Sequence, residues 1–287
     1  MAIVGTVREL WRYPVKSMGG ECLEHVTLGA GGIPGDRGWA LRDEAAGEIR
    51  GGKKLPQLMQ CSARYLREPG GGAIPPAEIT LPDGTVVSSD AADVASRLSA
   101  LIGRRVTLWP LQPAENREHY RRGLPDKPDM VEELRDIFGR MPDEPLPDLS
   151  VFSPELFEFT SPLGTYFDAF PLHVLTTASL GALGRDAPPE RFDRRRFRPN
   201  VLVESTAGER GLDEPAWSGK SLRIGQAVVQ VHMPTVRCSM TVQPQPGLSK
   251  DPLVLRAIVH QADQHLGVYA TVGTPGDVRV GDPVELV

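Results

Sequence analysis

Thirty glycines and 27 prolines, nearly a fifth of the 287 residues, restrict what this chain can fold into more than any other feature. Glycine weakens the interior of regular elements and proline breaks helices, so short strands and tight turns are expected rather than long helices. The remaining composition, 40% hydrophobic and 24% charged, is that of a soluble globular protein with room for one large or two ordinary domains. A net charge of −5 without a long basic run argues against non-specific nucleic-acid binding. No apolar run approaches the ~20 residues that cross a bilayer, and MAIVGTVREL has no charged-then-apolar signal. No membrane association is expected. Three widely spaced cysteines make no disulfide framework, which points to a reducing, cytoplasmic setting.

Strand candidates run from Val4 to Val15, His25 to Leu28, Gly38 to Leu41 and Ile79 to Val87, the last turning at Asp83-Gly84. Ser89 or Asp90 is expected to cap a helix that Gly103 ends, and Arg105 to Leu111 to form a strand. From Gln112 to Pro154 prolines recur among charges, with a short helix expected from Met130 to Gly139. This stretch reads as a solvated linker or as a lid. Beyond it, PLHVLTTASLGALG reads as a strand and a helix capped by Thr177 or Ser179. Further strands are expected from Phe197 to Glu204, from Ser221 to His232 around Gly225, and in a last hairpin from Tyr269 to Val287 turning at Pro275-Gly276. An amphipathic helix capped by Asp251 and ended by Gly267 precedes that hairpin.

Cys238, in MPTVRCSMT with Arg237 before it, follows a strand-like stretch in a segment without helical period. A thiolate is a nucleophile and a soft metal ligand, and a neighbouring guanidinium favours it; a lone cysteine is otherwise a small buried apolar residue. Lys16 and Ser17 put a cation and a hydroxyl at a strand-to-loop corner, which suits a phosphate or a polar heterocycle, or is simply a surface lysine beside a turn serine. GAGGIPGDRG is no dinucleotide loop, because it runs into a strand instead of a helix. Arg37 projects from that turn, either toward a ligand or into a surface pair with Asp36. Five arginines fall between Arg191 and Arg198, and such a run must be solvated, paired or facing an anion. Arg198 and Asn200 alternate into the apolar VLV run and are expected on one face of a strand, toward a ligand. The free N–H groups opening the TTASLGALG helix could hold an anion, though an ordinary capped helix is the default. His260 and His265, five apart, do not share a helix face and read as structural or surface residues; Cys22 and Cys61 lack ligand-spaced partners and read as structural.

YPVKS, GDRG, RFRPN, the RC pair and GDPVEL, in that order, resemble the MOSC-domain proteins over most of the chain. The likeness is to two-part members with an N-terminal β-barrel domain, such as the mitochondrial amidoxime-reducing component and related bacterial molybdenum reductases. The resemblance implies a β-rich α+β fold: an N-terminal β-barrel-like domain (1–111), the proline-rich stretch (112–154) and a MOSC β-barrel with a few helices (155–287). It implies that Cys238 ligates molybdenum. It places Lys16, Ser17, Arg37, Thr177, Arg198, Asn200, Arg237 and Tyr269 on the molybdopterin cofactor. The activity implied is reduction of N-oxygenated small molecules, with electrons from a separate ferredoxin or flavin reductase. The alternative is a sulfur or molybdenum-cofactor carrier using Cys238 as a persulfide or cofactor-binding thiol.

Overall fold

The computed structural model describes residues 2–70, 72–206 and 211–287. The chain opens with β1 (Ala2–Arg12), β2 (Glu21–Leu23) and β3 (His25–Leu28). Next come β4 (Trp39–Asp43), β5 (Glu48–Arg50), β6 (Ser62–Tyr65), β7 (Ala77–Thr80), β8 (Val86–Ser88), helix α1 (Val94–Ile102) and β9 (Val106–Pro110). The proline-rich stretch carries α2 (Arg117–Tyr120) and α3 (Met130–Phe138), and α4 (Glu155–Glu158) follows it. The remainder holds β10 (Leu172–Thr176), α5 (Thr177–Gly184), β11 (Val201–Ser205), β12 (Ser221–Ile224), β13 (Ala227–Val236), α6 (Leu253–Gln261), β14 (His265–Thr274), β15 (Gly276–Arg279) and β16 (Pro283–Leu286). The expected β-rich α+β class is the one adopted.

Seven strands close into a barrel in the order β1-β11-β10-β14-β13-β12-β16 and back to β1, with β2 hung on the outer side of β1. Only the β10–β11 pairing is parallel among the seams of this ring. Closure depends on β1, whose Leu10 faces Val201 of β11 and whose Ile3 faces Glu285 of β16. Val7, Leu10, Val174, Val201, Val229 and Val268 fill the interior, as alternation on half-buried strands requires. Closing the ring leaves no free edge on these seven strands. Gly5 sits where a side chain would meet Val203 Cγ1 at 2.6 Å, so β1 and β11 approach closely because Gly5 has no Cβ.

A second core lies in the N-terminal half. The sheets β5-β4-β9 and β6-β7-β8 enclose Leu41, Leu55, Leu58, Ile79, Leu98 and Val106 together with α1. The DG turn forms as expected, with Gly84 at φ 84° between β7 and β8. Gly103 ends α1 in the left-handed conformation that a helix C-terminus favours.

Several local expectations are corrected. α1 starts at Val94, and Ser89 instead accepts from the Ala77 N–H at 2.9 Å, which ties the loop to β7. The side-chain cap of α5 is Thr176, accepting from Ser179 N at 3.1 Å. α6 stops at Gln261, short of Gly267, because Asp263 and Gln264 take positive φ and swing the chain into β14. The last three strands form no simple hairpin, since β15 pairs with β3, and β16 with β12 and β1. β11 begins only at Val201, and Arg198 stands before it at φ 56°, so a strand alternation does not orient Arg198 and Asn200.

Candidate functional site

The strand β1 runs out at Arg12, and the next residues turn across the end of the barrel. Tyr13 is 4% exposed there, and the guanidinium carbons of Arg37 and Arg198 lie 4.6 and 4.2 Å from its ring centre. Arg37 pairs with the carboxylate of buried Asp36. Asp36 also accepts from Tyr13 N at 2.7 Å and from Asn200 Nδ2 at 2.9 Å. Asn200 is brought to the cluster but turned into the scaffold: its amide also donates to Trp11 O (3.2 Å) and accepts from His173 N (3.1 Å).

Lys16 Nζ donates to Tyr166 O (2.7 Å) and to Asp168 Oδ1 (2.6 Å). Lys53 reaches the other oxygen of the same carboxylate at 3.2 Å. Ser17 Oγ accepts from Gly52 N at 2.8 Å, and a side chain on Gly51 would lie 2.6 Å from that oxygen. The Gly51-Gly52 pair therefore lets the Lys53 loop close on the Lys16-Ser17 corner. Burial acts against the charge on Lys16 and lowers its pKa, while Asp168 opposes that shift. Burial acts on Lys53 in the same sense, but Asp168 and then Cys238 outweigh it and hold Lys53 above its ordinary value. Burial would raise Asp168, but the two lysines hold it well below the usual carboxylate range.

β13 delivers Arg237 and Cys238 to the same end of the barrel. Cys238 is partly exposed, in extended backbone ahead of a single helical turn, Ser239–Val242. Arg237 donates from Nη2 to Phe197 O at 2.7 Å and has its ring neighbour in Phe197. Cys238 lies within electrostatic reach of Lys53, Arg140, Arg237 and Tyr269. Tyr269 stacks on Phe170 at 5.1 Å, and burial, followed by the charge of Asp168, pushes its pKa up to about 12. Burial, then the charge of Arg237, holds His173 neutral. Arg198 is lowered to about 10, by burial and then by the charge of Arg37.

Thus Lys16, Ser17, Arg37, Arg198, Asn200, Arg237, Cys238 and Tyr269 are drawn together by shared partners. Thr177 is not among them: its hydroxyl accepts from Ser205 N at 3.4 Å. The start of α5 is taken by buried Glu214, which accepts from Thr176 N at 2.6 Å and from the Ser179 hydroxyl. Thr176 N, at the cap, is thus engaged by a carboxyl of the protein itself, whose pKa burial raises.

Sequence reading missed Lys53, Asp168, Tyr13 and Arg140. One signal was available for Lys53, the paired glycines before it. A further mark of the site is backbone conformation. Among the described residues five non-glycines have positive φ: Ser17, Arg37, Arg198, Asp263 and Gln264. The first three carry members of the cluster, and Gln264 O accepts from Arg237 N at 3.0 Å. Such conformations cost about 1–3 kcal/mol each and gather at functional sites.

Two buried polar atoms of the cluster, Arg198 Nη2 and Arg237 Nε, have no hydrogen-bond partner. Buried donors are normally satisfied, which leaves these two with unused hydrogen-bonding capacity. No group of three or more His, Cys, Asp or Glu side chains among the described residues could hold a metal. A cleft of about 380 Å³ adjoins the cluster, sharing Asp36 and Arg37 and walled by Ile33, Leu111, Tyr166 and Phe167.

Comparisons with known proteins bear on the family of the chain. The MOSC N-terminal beta barrel domain family matches residues 4–93 and the MOSC domain family residues 164–285. The bovine (Bos taurus) mitochondrial amidoxime reducing component 2 is 27% identical over 98% of this chain and 83% of its own. The mouse (Mus musculus) mitochondrial amidoxime-reducing component 1 is 27% identical over 99% of this chain and 83% of its own. A solved structure, the YuaD protein from Bacillus subtilis, spans 99% of this chain and 95% of its own at 13% identity and a TM-score of 0.41. With both domain families matched in order, and two relatives aligned over nearly its whole length, the chain belongs to the MOSC-domain proteins that carry a MOSC N-terminal β-barrel domain.

Proposed function

We propose that this protein is a molybdenum-cofactor oxidoreductase that reduces N-oxygenated small molecules, with Cys238 as the protein ligand of the metal. The observation that carries the reading is the pairing of a partly exposed thiol with two unpartnered buried guanidinium atoms, Arg198 Nη2 and Arg237 Nε. The named relatives, amidoxime reducing components, supply the reaction class. When bound, the molybdenum–molybdopterin group supplies the two-electron chemistry. Cys238 offers the soft sulfur. Arg37 and Arg198 present guanidinium N–H groups to an anionic phosphate, with Lys16 and Ser17 beside them. Tyr269 on Phe170, with Arg237, walls the thiol side.

An N-hydroxylated substrate takes up two electrons and two protons, its N–O bond breaks, and the oxygen leaves as water. The three widely spaced cysteines form no Cys-rich iron–sulfur segment, so a separate ferredoxin or flavin-type donor is proposed. All three cysteines are free, in keeping with a cytoplasmic, reducing setting.

The test is Cys238→Ser in protein made by cells with a working cofactor pathway. Molybdenum content, circular dichroism and benzamidoxime turnover with an artificial donor are compared with wild type. The expected result is an intact fold with metal and turnover lost; near-normal turnover in the serine variant would refute the ligand assignment.

A further inference from the structure

We propose that Tyr13 is the positioning residue of the anion-binding shell: it anchors both arginine-bearing turns and holds both guanidinium groups against its ring. This deepens the reading above and rests on Arg37 and Arg198 facing a phosphate ester.

Each polar group of Tyr13 is bonded to one of the two turns. Its N–H donates to Asp36 Oδ1 at 2.7 Å, and its carbonyl accepts from Arg37 N at 2.7 Å. Its hydroxyl donates to Pro199 O at 3.0 Å, in the residue after Arg198. Both turns are strained, with Arg37 at φ 50° and Arg198 at φ 56°. A left-handed non-glycine persists only where its surroundings over-determine it, and here the bonds that do so converge on Tyr13.

The ring has a second task. Two guanidiniums brought to one small anion repel each other while the anion is absent. The face of an aromatic ring attracts a cation, and this ring lies 4.6 and 4.2 Å from the two guanidinium carbons. A side chain on Gly20 would lie 2.6 Å from Tyr13 Cδ1, so the slot that holds the ring is kept open by a glycine. The ring thus gathers the two cations before any ligand arrives, which lowers the ordering cost of binding.

The test uses cofactor-free protein, from cells unable to make the cofactor, titrated with inorganic phosphate and followed by phosphorus NMR. Four variants are compared with wild type: Arg198→Gln, Tyr13→Phe, Tyr13→Leu and a fluorinated phenylalanine at position 13. Arg198→Gln should weaken binding about tenfold, Tyr13→Phe at most about threefold, and Tyr13→Leu about tenfold, the scale of a lost cation–ring contact at a desolvated site. The fluorinated ring keeps the shape but weakens the attraction of its face, so binding should fall as fluorines are added; a purely structural ring would show no such gradient. Should Tyr13→Leu fail to fold, that gradient alone decides. Wild-type binding in the fluorinated protein, with Arg198→Gln impaired, would overturn the role of Tyr13. Unchanged binding in Arg198→Gln would overturn the phosphate reading itself.

Discussion

Asp168 is a single carboxylate shared by two lysines, and it ties the acid response of the site to one residue. Its oxygens lie 2.6 Å from Lys16 Nζ and 3.2 Å from Lys53 Nζ. Because the folded-state pKa is depressed below that of the unfolded chain, the unfolded state takes up the proton first. The stabilisation is therefore complete above about pH 4 and is lost as pH falls through the depressed value. Asp168→Asn should lower stability at pH 7 by about 1–2 kcal/mol, discounted because the carboxylate is partly exposed. At pH 3 the difference should shrink, and urea unfolding at both pH values checks this; an equal deficit at both would exclude the charge. Asp168 was not legible in the sequence. It sits in an irregular segment, TYFDAF, with no period and no motif to mark it, and its importance arises only when two lysines from distant segments fold against it.

The proline-rich stretch becomes, at the level of elements, a strap. Asp129 caps α3 by accepting from Val131 and Glu132, and Gly139 ends it in the left-handed region. One side of the strap is pinned to the N-terminal half through Lys54 with Glu133 and through Arg50 Nη2 with Asp126 at 2.6 Å. The other side clamps the cysteine turn. Ser239 Oγ donates to Ile137 O at 2.9 Å, while Arg140 donates to Arg237 O at 3.1 Å and to Gln264 Oε1 at 3.0 Å. Arg140 is 5% exposed, so Arg140→Ala strands several buried acceptors and should cost about 2–4 kcal/mol. It should also free the turn, so that alkylation of Cys238 in cofactor-free protein speeds several-fold. An unchanged alkylation rate would mean the strap leaves the thiol unconstrained. α3 could be read from its caps, Asp129 and Gly139, which are local signals. The clamp could not be, because it consists of contacts between residues a hundred positions apart. The same division explains the misread ends of α6 and β11. The amphipathic period of α6 runs on to Leu266, but the positive φ of Asp263 and Gln264 is imposed from outside the helix.

On the scale of the whole molecule, the barrel borrows a strand from the far end of the chain. β1 lies between β11 and β16, so a fragment of residues 14–287 would expose an edge on each of these two strands. That fragment should aggregate or lack dispersed amide resonances, and a peptide of residues 1–13 added in trans should restore part of the dispersion; a well-folded fragment would show that β1 is dispensable. A first strand was legible, expected from Val4 to Val15 and formed from Ala2 to Arg12, whereas its partners were not, because pairing across the whole chain leaves no local trace. The borrowed strand also fixes an order of events in time. Along the chain β1 precedes both of its ring neighbours, β11 and β16, with most of the other strands lying between. The ring that shapes the cysteine end of the barrel therefore closes only once β16 has been made, a late step of the kind that long-range strand pairing makes slow. A chain that has not yet closed this ring has no finished cysteine end to offer a ligand.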